Sequence, residues 1–103
     1  MGRIRMTYAT ASVVQALALG YRHGFDIAAV TGLRGGTVYP ILRRLQDAGM
    51  ATSQWEEVEL SRESGRPPRK YYRLSHGAAE FLAEAQQRIP LVVRNPPAPA
   101  VAR

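Results

Sequence analysis

The chain has 103 residues, the size of one small domain, and 46% of them are apolar, enough for a packed core rather than a disordered chain. The absence of cysteine excludes disulfides, thiolate catalysis and cysteine zinc sites, and no apolar run approaches the ~20 residues of a membrane helix. Fourteen Lys and Arg against eight Asp and Glu give a formal charge of +6, which points to an anionic partner such as nucleic acid or a membrane surface.

Tyr8 to Leu19 reads as a first helix, with Val13, Val14, Leu17 and Ala18 at helical spacing and Thr7 as its N-cap. Thr7, Thr10, Ser12 and Gln15 interrupt the apolar stretch, so no signal peptide is read here, and a cytoplasmic location is expected. Gly20 and Gly24 mark the end of this helix and a short turn. Phe25 to Val30 is a second, short helix, stopped by Thr31-Gly32. Two helices joined by a few residues containing Gly form a helix-turn-helix, and the third helix is expected from Gly36 or Thr37 to Ala48, closed by Gly49. On a wheel of about 100° per residue, Val38, Ile41, Leu42, Leu45 and Ala48 share one side, and Tyr39, Pro40 and Arg43 take the other. A proline deep in a helix costs about 3 kcal/mol, so Pro40 is expected in the first turn.

After Met50 the helical period is lost. Ala51 to Glu59 and Lys70 to Leu74 read as two strands around a polar, basic loop, Leu60 to Arg69. Trp55 is expected to pair across the strands with the tyrosines of the second one, and Glu56, Glu57 and Glu59 read as solvated strand carboxylates. A fourth helix follows from Gly77 to Ile89, with Ser75 as N-cap and Pro90 as its stop. The sum is a mainly α fold with a small β-hairpin, a winged helix-turn-helix. Residues 1–74 form the DNA-binding domain, 75–90 a dimerisation helix and 91–103 a proline-rich, flexible tail.

Two groups of residues carry the chemistry. The first is Arg34, Gly35, Gly36, Thr37, Tyr39, Pro40, Arg43 and Arg44: a Gly-rich turn, a helix N-terminus with free N–H groups and a positive dipole end, and an outward basic face, all suited to phosphates and base edges. The second is Arg62, Arg66, Arg69 and Lys70 on the hairpin, where basic side chains can follow a phosphate backbone. No metal or cofactor is expected. His23 and His76 are the only imidazoles and lack metal-ligand spacing, and no P-loop, dinucleotide fingerprint or hydrolase elbow occurs, which argues against an enzyme.

The blocks Gly24-Phe25-Asp26-Ile27, Gly36-Thr37-Val38-Tyr39-Pro40-Ile41-Leu42-Arg43-Arg44-Leu45, Gly49-Met50, Trp55-Glu56 and Gly65-Arg66-Pro67-Pro68-Arg69-Lys70-Tyr71-Tyr72-Arg73-Leu74-Ser75 resemble the PadR family of bacterial transcriptional regulators, in its short-tailed group. The resemblance spans Tyr8 to Ile89. It implies a homodimeric winged-helix repressor on a near-palindromic, double-stranded operator, dimerised through the first and last helices and, in some relatives, responsive to a flat aromatic or drug-like effector. Val13, Val14, Leu17, Phe81, Leu82, Ala85 and Ile89 are the apolar residues expected at the dimer contact. Ser75-His76-Gly77 departs from the family pattern in lacking the carboxylate of a capping box. The alternative reading is a winged helix used for protein–protein contact, without specific DNA binding.

Overall fold

A computed structural model describes residues 4–93. The element order is α1 (Tyr8–Ala18), α2 (Gly24–Thr31), α3 (Gly35–Asp47), β1 (Ala51–Trp55), α4 (Val58–Ser64), β2 (Lys70–Leu74), a 3-10 turn (His76–Ala78) and α5 (Ala79–Arg88). The expected tail falls largely on residues 94–103, which lie outside the described residues.

Helix α1 is the axis of the domain. Thr7 caps it, its hydroxyl accepting the Thr10 N–H at 3.1 Å, as expected. Eight successive residues, Thr10–Leu17, are buried. A helix buried on every side must satisfy its polar side chains internally. Ser12 does so by donating to the Tyr8 carbonyl at 2.8 Å. Against α1 pack Ile27 and Val30 of α2, Val38, Ile41, Leu42 and Leu45 of α3, and Ala51 and Tyr72 of the sheet. Each Leu, Ile or Val buried this way contributes about 1.5–3 kcal/mol against the entropy of ordering the chain.

Helix α3 starts at Gly35, so Pro40 is its sixth residue and lies in the second turn rather than the first. Having no N–H, Pro40 cannot bond the Gly36 carbonyl one turn back. Gly49 adopts φ +76° just past the helix, and the Met50 N–H returns to the Leu45 carbonyl at 2.8 Å, the left-handed stop expected there.

β1 and β2 are antiparallel, with Ala51 opposite Leu74, Ser53 opposite Tyr72 and Trp55 opposite Lys70. The segment before α2 adds a third, minimal strand. His23 bridges Tyr71, and the Tyr72 N–H donates to the Arg22 carbonyl at 2.7 Å.

Two expected boundaries change. The first strand ends at Trp55, and what reads as a loop from Leu60 contains α4. Glu, Leu and Arg favour a helix there, and Gly65 at φ +68° ends it. The last helix is broken at its start: a 3-10 turn precedes α5, and Ser75, instead of capping, donates its hydroxyl to the Gly49 carbonyl.

Gln15 ties the last helix to α1. Its Nε2 donates to the Ile89 carbonyl at 2.7 Å and to Ala11 at 3.0 Å, and its Oε1 accepts the Leu91 N–H at 3.0 Å. One buried amide therefore serves the end of α5 and the chain leaving it. Gln15→Leu keeps the volume but orphans the Ile89 carbonyl and the Leu91 N–H. It should cost about 1–3 kcal/mol in urea unfolding, with faster hydrogen exchange at the Leu91 amide.

Candidate nucleic-acid interface

Helix α3 is divided lengthwise. Val38, Leu42 and Leu45 are fully buried and Ile41 nearly so, while Tyr39, Pro40, Arg43 and Arg44 are exposed on the other side. The basic side chains of this face therefore carry no packing duty. At its start, Arg34 is the N-cap and offers no side-chain cap bond. Gly36 is exposed, and a Cβ added to it would meet nothing within 4 Å, so a ligand can approach the backbone here. Thr37 is exposed beside it. The eight residues expected around this helix are thus brought together on one surface.

Tyr39 is only partly free. Its ring lies over Gly24, where an added methyl group would come within 2.7 Å of the phenol oxygen, and Gly35 flanks it from the other side. The absence of a side chain at Gly24, the first residue of α2, sets the height at which the Tyr39 ring rests. Tyr72 is its neighbour across the gap, and burial together with Tyr39 pushes the Tyr72 phenol above its usual range.

Between α3 and the sheet runs a cleft of ≈ 740 Å³, lined by Tyr39, Pro40, Arg43, Gln46, Asp47, Lys70 and Tyr72. The Lys70 ammonium sits 5.5 Å from the Trp55 ring and 5.8 Å from the Tyr72 ring. Cations over aromatic faces are attracted by the ring quadrupole, by about 0.5–1 kcal/mol when exposed. The cross-strand partner of Trp55 is accordingly Lys70 and not a tyrosine, because the register sets those two opposite each other.

The remaining wing residues divide. Arg62 is on α4 among Glu57, Glu59 and Glu63, so the outer wing is acidic rather than a basic loop. Arg66 is engaged by Glu56, its two terminal nitrogens donating to the two carboxylate oxygens at 2.6 and 2.9 Å. The Arg69 N–H and the Tyr71 hydroxyl also donate to Glu56, at 3.4 and 3.3 Å. Glu56 is therefore not a solvated strand carboxylate. The hydrogen bond from Arg66 leads in holding its carboxyl down to about 2. Of the four wing cations expected at the interface, Lys70 joins the α3 face, while Arg66 is occupied by an ion pair.

His23 adjoins this cluster, 5.9 Å from the Tyr71 ring. Its Nδ1 accepts the Phe25 N–H at 3.3 Å and caps α2. Burial leads in pushing this imidazole below its ordinary value; Arg69 and Arg66 add to that, and Asp26 and Glu56 oppose it. The neutral form is the one a cap requires.

The residues expected at a dimer contact also divide. Val13, Val14 and Ala85 are fully buried within the subunit itself, and Leu17 nearly so. This corrects their reading as contact residues: α1 is enclosed on all sides, which an apolar stripe does not reveal. Phe81, Leu82 and Ile89 remain half-buried. Among the described residues, no group of three or more His, Asp or Glu could hold a metal ion, and no helix is long and apolar enough to cross a membrane.

The pattern of the transcriptional regulator PadR-like family matches residues 13–84, from within α1 to within α5. The chain belongs to this family. A PadR family transcription regulator from Clostridium difficile R20291 has a similar structure, with 27% sequence identity, a TM-score of 0.65, and coverage of 79% of this chain and 85% of that one. A PadR-like transcription factor from Bacteroides fragilis gives 28% identity, a TM-score of 0.53, and coverage of 73% and 76% respectively. No curated protein matches. The chain is thus a PadR-like transcriptional regulator of the winged-helix type.

The contact between Gly24 and Tyr39 yields a test of this surface. Gly24→Ala places a methyl group where the Tyr39 ring lies. The ring can swing outward, so the melting temperature should move little, while DNA affinity should fall several-fold in fluorescence anisotropy. An unchanged affinity would show that the placement of Tyr39 is immaterial.

Proposed function

We propose that this PadR-like regulator is a homodimeric repressor that reads a near-palindromic operator in double-stranded DNA, and that it is not an enzyme. The observation that carries the reading is the division of α3: a fully buried apolar side, and an exposed side of Tyr39, Pro40, Arg43 and Arg44 that serves no packing purpose. With α3 in the major groove, Arg43 and Tyr39 reach base edges, and the open first turn at Gly35 and Gly36 meets a phosphate. The cleft then straddles the sugar-phosphate backbone between the grooves, with Lys70 and Arg43 facing it. Arg69, at the neck of the wing, is the other wing cation suited to a phosphate. Arg34 and Thr37 flank the helix start and serve the same strand.

For the dimer, support comes from α5 and the N-terminal segment. A groove of ≈ 670 Å³ has Ile4, Met6, Met50 and Phe81 as apolar lining, with Arg5, Glu80, Glu84 and Arg88 beside them. Apolar residues with both signs of charge around them suit a two-fold contact between like surfaces, which also sets two recognition helices about one DNA turn, ~34 Å, apart. Light scattering at micromolar concentration should give twice the chain mass. A monomer that still binds its operator tightly would refute the dimer.

Operator reading is tested with DNA from upstream of the protein's own gene and a random duplex. Arg43 is exposed, so Arg43→Ala opens no cavity. If Arg43 grips a guanine with both nitrogens, the variant should lose about 1–3 kcal/mol per half-site on the operator and much less on random DNA. Equal losses on both duplexes would reassign Arg43 to the phosphates, and no loss on either would remove it from the interface.

A further inference from the structure

A chain that grips a polyanion gains from every cation and is penalised by every carboxylate near the contact. Glu56 nevertheless stands at the neck of the wing, next to Trp55, whose ring holds Lys70. Its side chain is 7% exposed, and it accepts two hydrogen bonds from Arg66, one from the Arg69 N–H and one from the Tyr71 hydroxyl. Its own N–H donates to the Arg69 carbonyl at 2.7 Å. Backbone and side chain of this one residue therefore close the connection 57–68 and fix Arg69 opposite it.

The pair adjacent to this closure is Trp55 and Lys70. Side chains alternate faces along a strand, so a slip of one residue at the neck would turn Lys70 away from the cleft. At the neck, where the ladder ends, the two-pronged contact of Arg66 with Glu56 opposes it, since a planar guanidinium meets a carboxylate in one geometry.

We infer that Glu56 is a positioning residue for DNA binding: with Arg66 it locks the register of the wing and thereby keeps Lys70 in the cleft beside Arg43. The inference rests on the DNA-binding reading above. It makes a prediction opposite in sign to simple charge counting. Replacing Glu56 by a neutral residue raises the net charge by one, which by itself strengthens binding to a polyanion. Loss of the lock weakens it.

The test uses the full-length chain, a duplex carrying the operator and a random duplex, with affinity followed by fluorescence anisotropy over a salt series. Glu56→Gln should bind the operator at least tenfold more weakly than wild type despite its added charge. Its salt slope should fall by about one, the contribution of the Lys70 contact to a phosphate. Arg66→Lys keeps every charge and removes only the two-pronged geometry; it should lose at least threefold, and supplies the readout should Glu56→Gln fail to fold. In a Lys70→Ala background, Glu56→Gln should cost less than threefold, because the residue through which it acts is already gone. Operator binding by both single variants at or above the wild-type level would overturn the role, as would an undiminished loss in the Lys70→Ala background. Wild-type protein that binds neither duplex would instead overturn the DNA-binding reading, and this role with it.

Discussion

The enclosure of α1 from Thr10 to Leu17 is the constraint on which the rest of the structure depends. A short helix with eight successive buried residues leaves no side free for other work. The other helices of the core and the sheet are set by where they meet this axis: α2 and α3 by Ile27, Val30, Val38 and Leu42, the sheet by Tyr72 and α5 through Gln15. The cost of burying Thr10, Ser12 and Gln15 is offset because each finds its hydrogen bond inside the domain. Helix α3, packed along one side, keeps its other face for solvent, and that face carries Arg43 and Arg44.

The wing follows a different logic. It has little apolar burial of its own, and Val58 and Leu60 of α4 are more than half exposed. Its shape is held by polar contacts at the neck, with Glu56 as the shared acceptor. Charge is also sorted along it. Carboxylates gather on α4, while Lys70 faces α3 across the cleft. A phosphate strand approaching this surface meets attraction in the cleft and repulsion beyond it, which favours one path across the protein.

The helix-turn-helix was legible in the sequence because its signals are local and agree: period, glycine stops and the outward arginines of α3 lie within a few turns of one another. The wing was legible as two strands but not in its detail. Helix α4 was missed because Ser, Gly and Pro nearby suggested a loop, although Glu57 to Glu63 has helix-forming composition. The start of α3 was placed one or two residues late by treating Pro40 as a first-turn proline. Contacts between distant positions left no local trace at all. Gln15 looked like an interruption of an apolar stretch, and Glu56 like one more surface carboxylate, because their partners are 74 and 10 residues away. For the same reason Val13 and Val14 looked available to a second subunit; an amphipathic stripe says that a side is apolar, not what covers it.

The seat of Tyr39 on Gly24 has a consequence for redesigning the proposed DNA-binding surface. The two positions belong to different helices, yet they share one volume on the outer surface. A smaller residue at 39 vacates space that a methyl group at 24 can occupy, and a large one requires glycine beneath it. Libraries aimed at new operator preferences that vary α3 alone hold this volume fixed and sample only side chains that fit over a bare backbone. Varying residue 24 together with residue 39 opens a second set of shapes for the proposed reading surface, with the buried side of α3 left untouched.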